Sequence, residues 1–152
     1  MPAEAPKLPV SVLVVIHTSG GEVLLLERAA RPGFWQSVTG SLDRLDEPPA
    51  EAATREVLEE TGIRAAAARA WNLAYTFEIY ARWRHRFADG VTHNTEHVFS
   101  IELPARVPVR LAPDEHRDSR WLPWREAADA CFSWSNRDAI RILGSGRLPC
   151  AS

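Results

Sequence analysis

The sequence predicts a mixed α/β protein in which a sheet lies between helices. Three observations carry that expectation. Residues Pro9 to Ile16 form a continuous apolar, β-branched run, the pattern of a strand covered on both faces. From Trp71 to Phe87, the residues Tyr75, Phe77, Ile79, Ala81, Trp83 and His85 alternate with Thr76, Glu78, Tyr80, Arg82 and Arg84, the period of two expected of a strand. Between these stretches, Pro48-Pro49 and Gly62 bracket a helix. Proline suits the first turn, where its missing N–H is not needed, and glycine suits the left-handed position just past the last turn.

The elements follow in order. Met1 to Leu8 is expected to be a flexible arm. After the first strand, Ser19-Gly20-Gly21 turns the chain, and Val23 to Leu26 is a second strand ending in Glu27-Arg28. Arg31-Pro32-Gly33 turns it again, and Phe34 to Thr39 is a short strand. The bracketed helix comes next, with Ala50, Ala53 and Val57 as a small apolar stripe that permits close packing. Ala65 to Ala70 ends the connection and begins the aromatic strand. Asp89-Gly90 is a turn, Glu96 to Leu103 a strand, Arg106 to His116 a loop, and Trp121-Leu122 a short strand. Trp124 to Ala130 reads as a helix, Ser135 or Asn136 caps a last helix through Leu143, and Gly144 to Ser152 is a loose tail.

Composition bounds the function. A chain of 152 residues is expected to form one domain with a sizeable core. A net charge of −2 provides no basic field to hold nucleic acid by its backbone, so a polymer substrate is disfavoured and a small polyphosphate is not. Cys131 and Cys150 lack metal-ligand spacing and form no disulfide framework, which fits a reducing cytosol. Met1 to Leu8, Pro-rich and charged, is not expected to be a secretory signal, and the longest apolar run, Val12 to Ile16, is too short to span a membrane. The expected location is therefore cytoplasmic, with neither nucleic acid nor membrane as partner, and the sequence leaves the oligomeric state open.

Glu56, Glu59 and Glu60 stand at i, i+3 and i+4, one patch of helix surface. Exposed, they would be an ordinary solvated acidic face. Partly buried, they repel one another more strongly, and a divalent cation is the natural remedy. Hard carboxylate oxygens suit Mg²⁺ or Mn²⁺, with phosphate oxygens completing the shell. Arg55 lies four before Glu59 and can pair with it. The wider pattern is Glu47, seven residues, then Arg55-Glu56-Val57-Leu58-Glu59-Glu60-Thr61-Gly62-Ile63. It resembles the Nudix box, and its six matched positions would coincide by chance less often than ~10⁻⁶ per start site. One departure stands out. Six residues rather than five separate Gly40 from Glu47, and Asp46 replaces the glycine usual before that glutamate, so the loop is one residue longer.

Flanking stretches sharpen the likeness: Pro9-Val10-Ser11, Leu13 to Ile16, Phe34 to Ser41, Phe77-Glu78-Ile79, Arg84-His85-Arg86, Gly90-Val91-Thr92, Asn94-Thr95-Glu96 and Trp134 to Arg137. They resemble the Nudix subgroup that acts on dihydroneopterin triphosphate in bacterial folate synthesis. The resemblance implies an α/β/α sandwich with a mixed sheet. It also implies Mg²⁺-dependent hydrolysis of that substrate to the monophosphate and pyrophosphate, with Mn²⁺ able to replace Mg²⁺. A broad nucleoside triphosphate pyrophosphatase and a non-catalytic nucleotide- or pterin-binding module are the alternatives; the intact Glu56, Glu59 and Glu60 argue against the second.

The resemblance also implies roles. Glu56, Glu60 and Glu59 are the expected metal ligands, with Glu115 as a further ligand or general base and His116 as a weaker base candidate. Glu59, Glu115 and Arg55 are the expected catalytic group, Arg55 orienting the glutamates rather than touching substrate. Lys7, Arg28 and Thr39 match phosphate-side positions; Lys7 is the chain's only lysine. Phe77, Glu78, Ile79, Tyr80 and Ser133 match the pterin side. Trp35 and Trp134 are additional aromatic candidates, since a flat heterocycle wants an apolar face and edge hydrogen bonds.

Overall fold

The computed structural model describes residues 5–146. Seven strands form one mixed sheet: β1 (Val10–Thr18), β2 (Glu22–Arg28), β3 (Trp35–Gln36), β4 (Val38–Ser41), β5 (Arg69–Glu78), β6 (His93–Leu103) and β7 (His116–Pro123). The helices are α1 (Pro49–Thr61), α2 (Trp124–Ala130) and α3 (Trp134–Gly144). The strands run β3-β2-β1-β6-β5, with β4 also paired to β1 and β7 to β2. Only β1 and β6 pair in parallel; the other pairs are antiparallel.

The apolar run in β1 is explained by its two faces. Val12, Val14 and Ile16 pack with Ala52, Ala53 and Val57 of α1. Leu13 and Val15 pack with Ala127 and Ala128 of α2 and Ala139 and Ile140 of α3. Successive strand side chains point to opposite faces, so one strand supplies both cores. The result is the expected α/β/α sandwich. No helix among the described residues is long and apolar enough to cross a membrane.

Helix α1 begins and ends where the sequence placed it. Pro48 is its N-cap, and Gly62 takes φ 73° while its N–H donates to Leu58 O. The packing stripe holds at two of its three expected members and differs at one. Ala52, Ala53 and Val57 are buried, and Ala50 is exposed.

Several expectations are corrected. The aromatic strand stops at Glu78, and 81–86 form a 3₁₀ helix. The residues there alternate in type, but their side chains build a ring cluster: Trp83 stacks edge-on against Tyr80 and Phe132 with centroids 5.4 and 5.7 Å apart. Residues Phe34 to Thr39 form two strands, because Ser37 breaks the run where the chain leaves β2 and joins β1. The strand read as Trp121-Leu122 is longer, its charged residues facing solvent along an edge. Ser133, not Ser135 or Asn136, caps α3 by accepting from Asn136 N. Both of those residues are buried inside the first turn.

The N-terminal arm is not free where it is described. Lys7 N donates to Arg86 O at 2.8 Å, and Leu8 packs against the α1-side core. The tail expected from Gly144 begins only after α3, which includes Gly144; most of it, with Cys150, lies outside the described residues.

Candidate active site

A cavity of about 950 Å³ opens where β1 exchanges β2 for β4 as its neighbour. One side of it carries acidic residues from α1, the other aromatic and polar residues from β5, β6 and the start of α3.

The acidic side is built around Arg55. Its guanidinium donates through Nε to Glu47 Oε2 at 3.0 Å and through one terminal nitrogen to Glu47 Oε1 at 3.1 Å, a two-point grip on one carboxylate. The same nitrogen reaches Ser41 O, and the other reaches Glu56 Oε1 at 2.9 Å and Glu59 Oε2 at 3.4 Å. Glu47 is buried, and Asp43 N also donates to its Oε1 at 2.8 Å. These hydrogen bonds, Arg55 foremost, hold the Glu47 carboxyl below its ordinary pKa. The longer loop thus leaves Glu47 clasped by Arg55, and its extra length is spent outward, with Leu45 75% exposed.

Glu56 and Glu60 line the cavity. Glu60 is 1% exposed, and neither of its carboxylate oxygens has a hydrogen-bond partner among the described residues. Burial first, then the Glu56 charge, pushes the Glu60 carboxyl well up from its ordinary pKa. Burial raises Glu56 as well, against the pull of Arg55. Gly40 makes room for this arrangement: a Cβ there would overlap the Glu56 carboxylate. Glu115 and His116 arrive from the start of β7, and one ligand atom from each lies with one of Glu60 within 4.8 Å of the others. His116 is buried; burial and then Arg28 depress its pKa to about 4, so it is neutral near pH 7.

These groups fit a divalent cation. Two orphaned carboxylate oxygens in a buried, oxygen-rich corner are costly without one. Glu60, Glu115 and His116 share that corner, and Glu56 lines the same cavity. Glu59 does not line the cavity; it is exposed on the outer side of α1 and paired with Arg55.

The other expected residues come together around the same cavity: Lys7, Arg28, Thr39, Phe77, Glu78, Ile79, Tyr80 and Ser133 all line it. Lys7 is open to solvent by area yet crowded, and desolvation, then Arg86 and Arg28, lowers its pKa. Arg28 stacks 4.9 Å over Trp83 and donates to Gln36 Oε1 at 3.2 Å. Thr39 Oγ1 accepts from Gln36 Nε2 at 3.3 Å. Glu78 pairs with Arg84. Trp134 is 51% exposed and meets Tyr75 and Phe77 edge-on. Trp35 does not line the cavity; Arg120 covers its ring at 4.6 Å.

Sequence reasoning gave no site role to Gln36, Trp83, Asn94, Glu96 or Ser135, all of which line the cavity. A signal existed for two of them. Asn94 and Glu96 are polar residues two apart in a strand otherwise rich in buried apolar residues. Glu96 is 6% exposed, and its Oε1 accepts from Ser135 Oγ at 3.0 Å. Burial pushes its pKa up to about 7, opposed by that hydrogen bond.

The family now follows from the geometry and from comparison. A NUDIX domain model matches residues 7–142, and the chain belongs to the NUDIX family. The dihydroneopterin triphosphate diphosphatase of Escherichia coli K12 is 43% identical over 139 residues, 88% of this chain and 91% of that protein. The protein of that name from Haemophilus influenzae is 37% identical over 137 residues, 86% and 84% of the two chains. The solved structure of the E. coli dihydroneopterin triphosphate pyrophosphohydrolase superposes with a TM-score of 0.88 at 40% identity, covering 94% of this chain and 99% of that one.

Two predictions follow from the electrostatics. Saturating Mg²⁺ at pH 8 should raise the Tm of the wild-type protein by about 5–10 °C, and Glu60→Gln should abolish most of that shift. Thermal melts with and without EDTA check it; an undiminished shift in the variant would remove Glu60 from the cation site. For Glu96, a folded pKa raised above the unfolded value gives a contribution that is full below about pH 4 and is lost as pH rises through about 7. Glu96→Gln should therefore gain Tm over wild type between pH 5 and pH 9. Parallel curves of Tm against pH would contradict that burial effect.

Proposed function

We propose that this chain hydrolyses dihydroneopterin triphosphate to the monophosphate and pyrophosphate, with Mg²⁺ as the bound cation. One observation carries the reading: a single cavity joins an orphaned carboxylate corner to an aromatic wall, in a chain 43% identical to a dihydroneopterin triphosphate diphosphatase. The first feature supports phosphoanhydride hydrolysis, the second a flat heterocycle.

Glu56 and Glu60 would hold the cation, with Glu115 as a further ligand or as the base; Glu59, outside the cavity and paired with Arg55, would act through that guanidinium. The cation would neutralise phosphate charge and lower the pKa of a bound water. Arg55 keeps Glu56 aimed into the cavity while Glu47 and Ser41 O fix its guanidinium. As the base, Glu115 would take the proton of the attacking water, whose oxygen bonds to phosphorus as the phosphoanhydride oxygen departs. Lys7 and Arg28 meet the triphosphate oxygens, and Thr39 offers its hydroxyl. Phe77 to Tyr80, Ser133 and Trp134 face the ring.

Pyrophosphate release from dihydroneopterin triphosphate, beside standard and oxidised dNTPs at equal concentration with Mg²⁺, tests the assignment. The expected result is at least a ~10-fold preference in kcat/KM for the pterin and, in folded Glu60→Gln, at least a ~10²-fold loss of turnover. Preference for a nucleotide would favour a clean-up pyrophosphatase instead, and absence of all turnover would favour a binding module. Lys7→Ala should raise KM several-fold and change kcat less; an unchanged KM would detach Lys7 from the substrate.

A further inference from the structure

The aromatic wall contains a polar recess that the hydrolytic step leaves unused. Asn94 and Glu96 are two apart on β6, so they share one face of the sheet, the face covered by α3. Across the antiparallel ladder, Asn94 is paired with Phe77 and Glu96 with Tyr75. Cross-strand partners lie on the same face. Trp134 touches both aromatic rings, with centroids 6.4 Å from Phe77 and 5.3 Å from Tyr75. A flat ring laid against Phe77 and Trp134 would therefore present its edge to Asn94 and Glu96.

The recess is rich in acceptors. Among the described residues, Ser135 is the one hydrogen-bond donor to the Glu96 carboxylate. Asn94 is 7% exposed; its Nδ2 donates to Ser11 Oγ at 2.8 Å, which fixes the amide and turns Oδ1 elsewhere. That Oδ1 has no hydrogen-bond partner among the described residues. Buried acceptors are expensive unless something donates to them. Two carboxylate oxygens match two adjacent N–H groups in a plane, the geometry that makes two-point pairs selective. The edge of a 2-amino-4-oxopyrimidine ring supplies such a pair, an exocyclic amino group beside a ring N–H. Pterins and guanine share that edge. Adenine and cytosine set a bare acceptor nitrogen beside their amino group, which would face a carboxylate unfavourably.

We propose that Glu96, with Asn94 beside it, reads the paired N–H donors of a 2-amino-4-oxopyrimidine ring and so sets which heterocyclic triphosphate the cavity accepts. The inference deepens the substrate reading above and rests on it only in requiring a heterocyclic triphosphate. A residue that bonds the ring far from the reacting phosphorus contributes alike to ground and transition states, so its loss is carried by KM.

The test is kcat/KM for dihydroneopterin triphosphate, dGTP and dATP in wild type and Glu96→Gln, with Mg²⁺ at pH 8. Glutamine keeps the shape and can still accept from Ser135, but it turns one acceptor into a donor. The expected result is at least a ~10-fold fall in both the pterin-to-dATP and dGTP-to-dATP ratios, carried by KM. Unchanged ratios would overturn the proposal, whether activity is intact or uniformly lowered, because a merely structural Glu96 affects all three substrates alike. A wild-type preference for dGTP over the pterin would overturn the pterin assignment alone, and the dGTP-to-dATP ratio would still judge Glu96. If Glu96→Gln fails to fold, Glu96→Asp, which shortens the reach by one methylene, is judged by the same ratios.

Discussion

The site depends on the clasp between Arg55 and Glu47. One guanidinium binds a loop carboxylate at two points, the Ser41 carbonyl at the end of β4, and Glu56 on its own helix. Loop, strand and helix are thereby fixed by a single planar group. A lysine could not replace it, because an ammonium lacks the flat fork that holds two oxygens side by side. With Arg55 spent on these partners, Glu60 is left without a hydrogen-bond partner among the described residues. The clasp thus satisfies some of the negative charge on α1 and leaves the rest for a ligand from outside the chain.

That arrangement is costly to the empty protein. A carboxylate 1% exposed and without a hydrogen-bond donor among the described residues is costly to ionise, and burial accordingly pushes its pKa well up. It is tolerated because the two cores on either side of β1 are dense and apolar. Gly40 shows how little slack remains, since one added methyl group would strike Glu56.

Much of this was legible in the sequence, for physical reasons. Helix α1 is local: its ends are written in Pro48, Pro49 and Gly62, and its acidic spacing follows from helical geometry. The β1 run announced a strand covered on both faces because it is short, rich in β-branched residues and ended by a glycine turn, which a buried helix would not be. Non-local features were not legible. The alternation from Ile79 to His85 looked like a strand, but ring packing between Trp83, Tyr80 and Phe132 bends it into a 3₁₀ helix. Ser133 displaced Ser135 and Asn136 as the cap because Asn136 is bound to Ser37, 99 residues away, and Ser135 to Glu96. Lys7 looked like part of a loose arm because its anchor, Arg86, is distant in the chain. The recess at Asn94 and Glu96 was visible only as two polar letters in an apolar strand.

The cavity has walls of separate ancestry in the packing. Its acidic side grows from α1 and the core that contains Val12, Val14 and Val57; its aromatic side leans on the core that contains Leu13, Val15 and Ile140. The sheet stands between those cores. Substitutions that reshape the ring-facing wall therefore have their repacking absorbed on one side, away from the carboxylates of α1. A scaffold divided in this way lets selection change what is held without rebuilding how it is cut. New substrates can then be explored by drift on one face while the other stays under constraint.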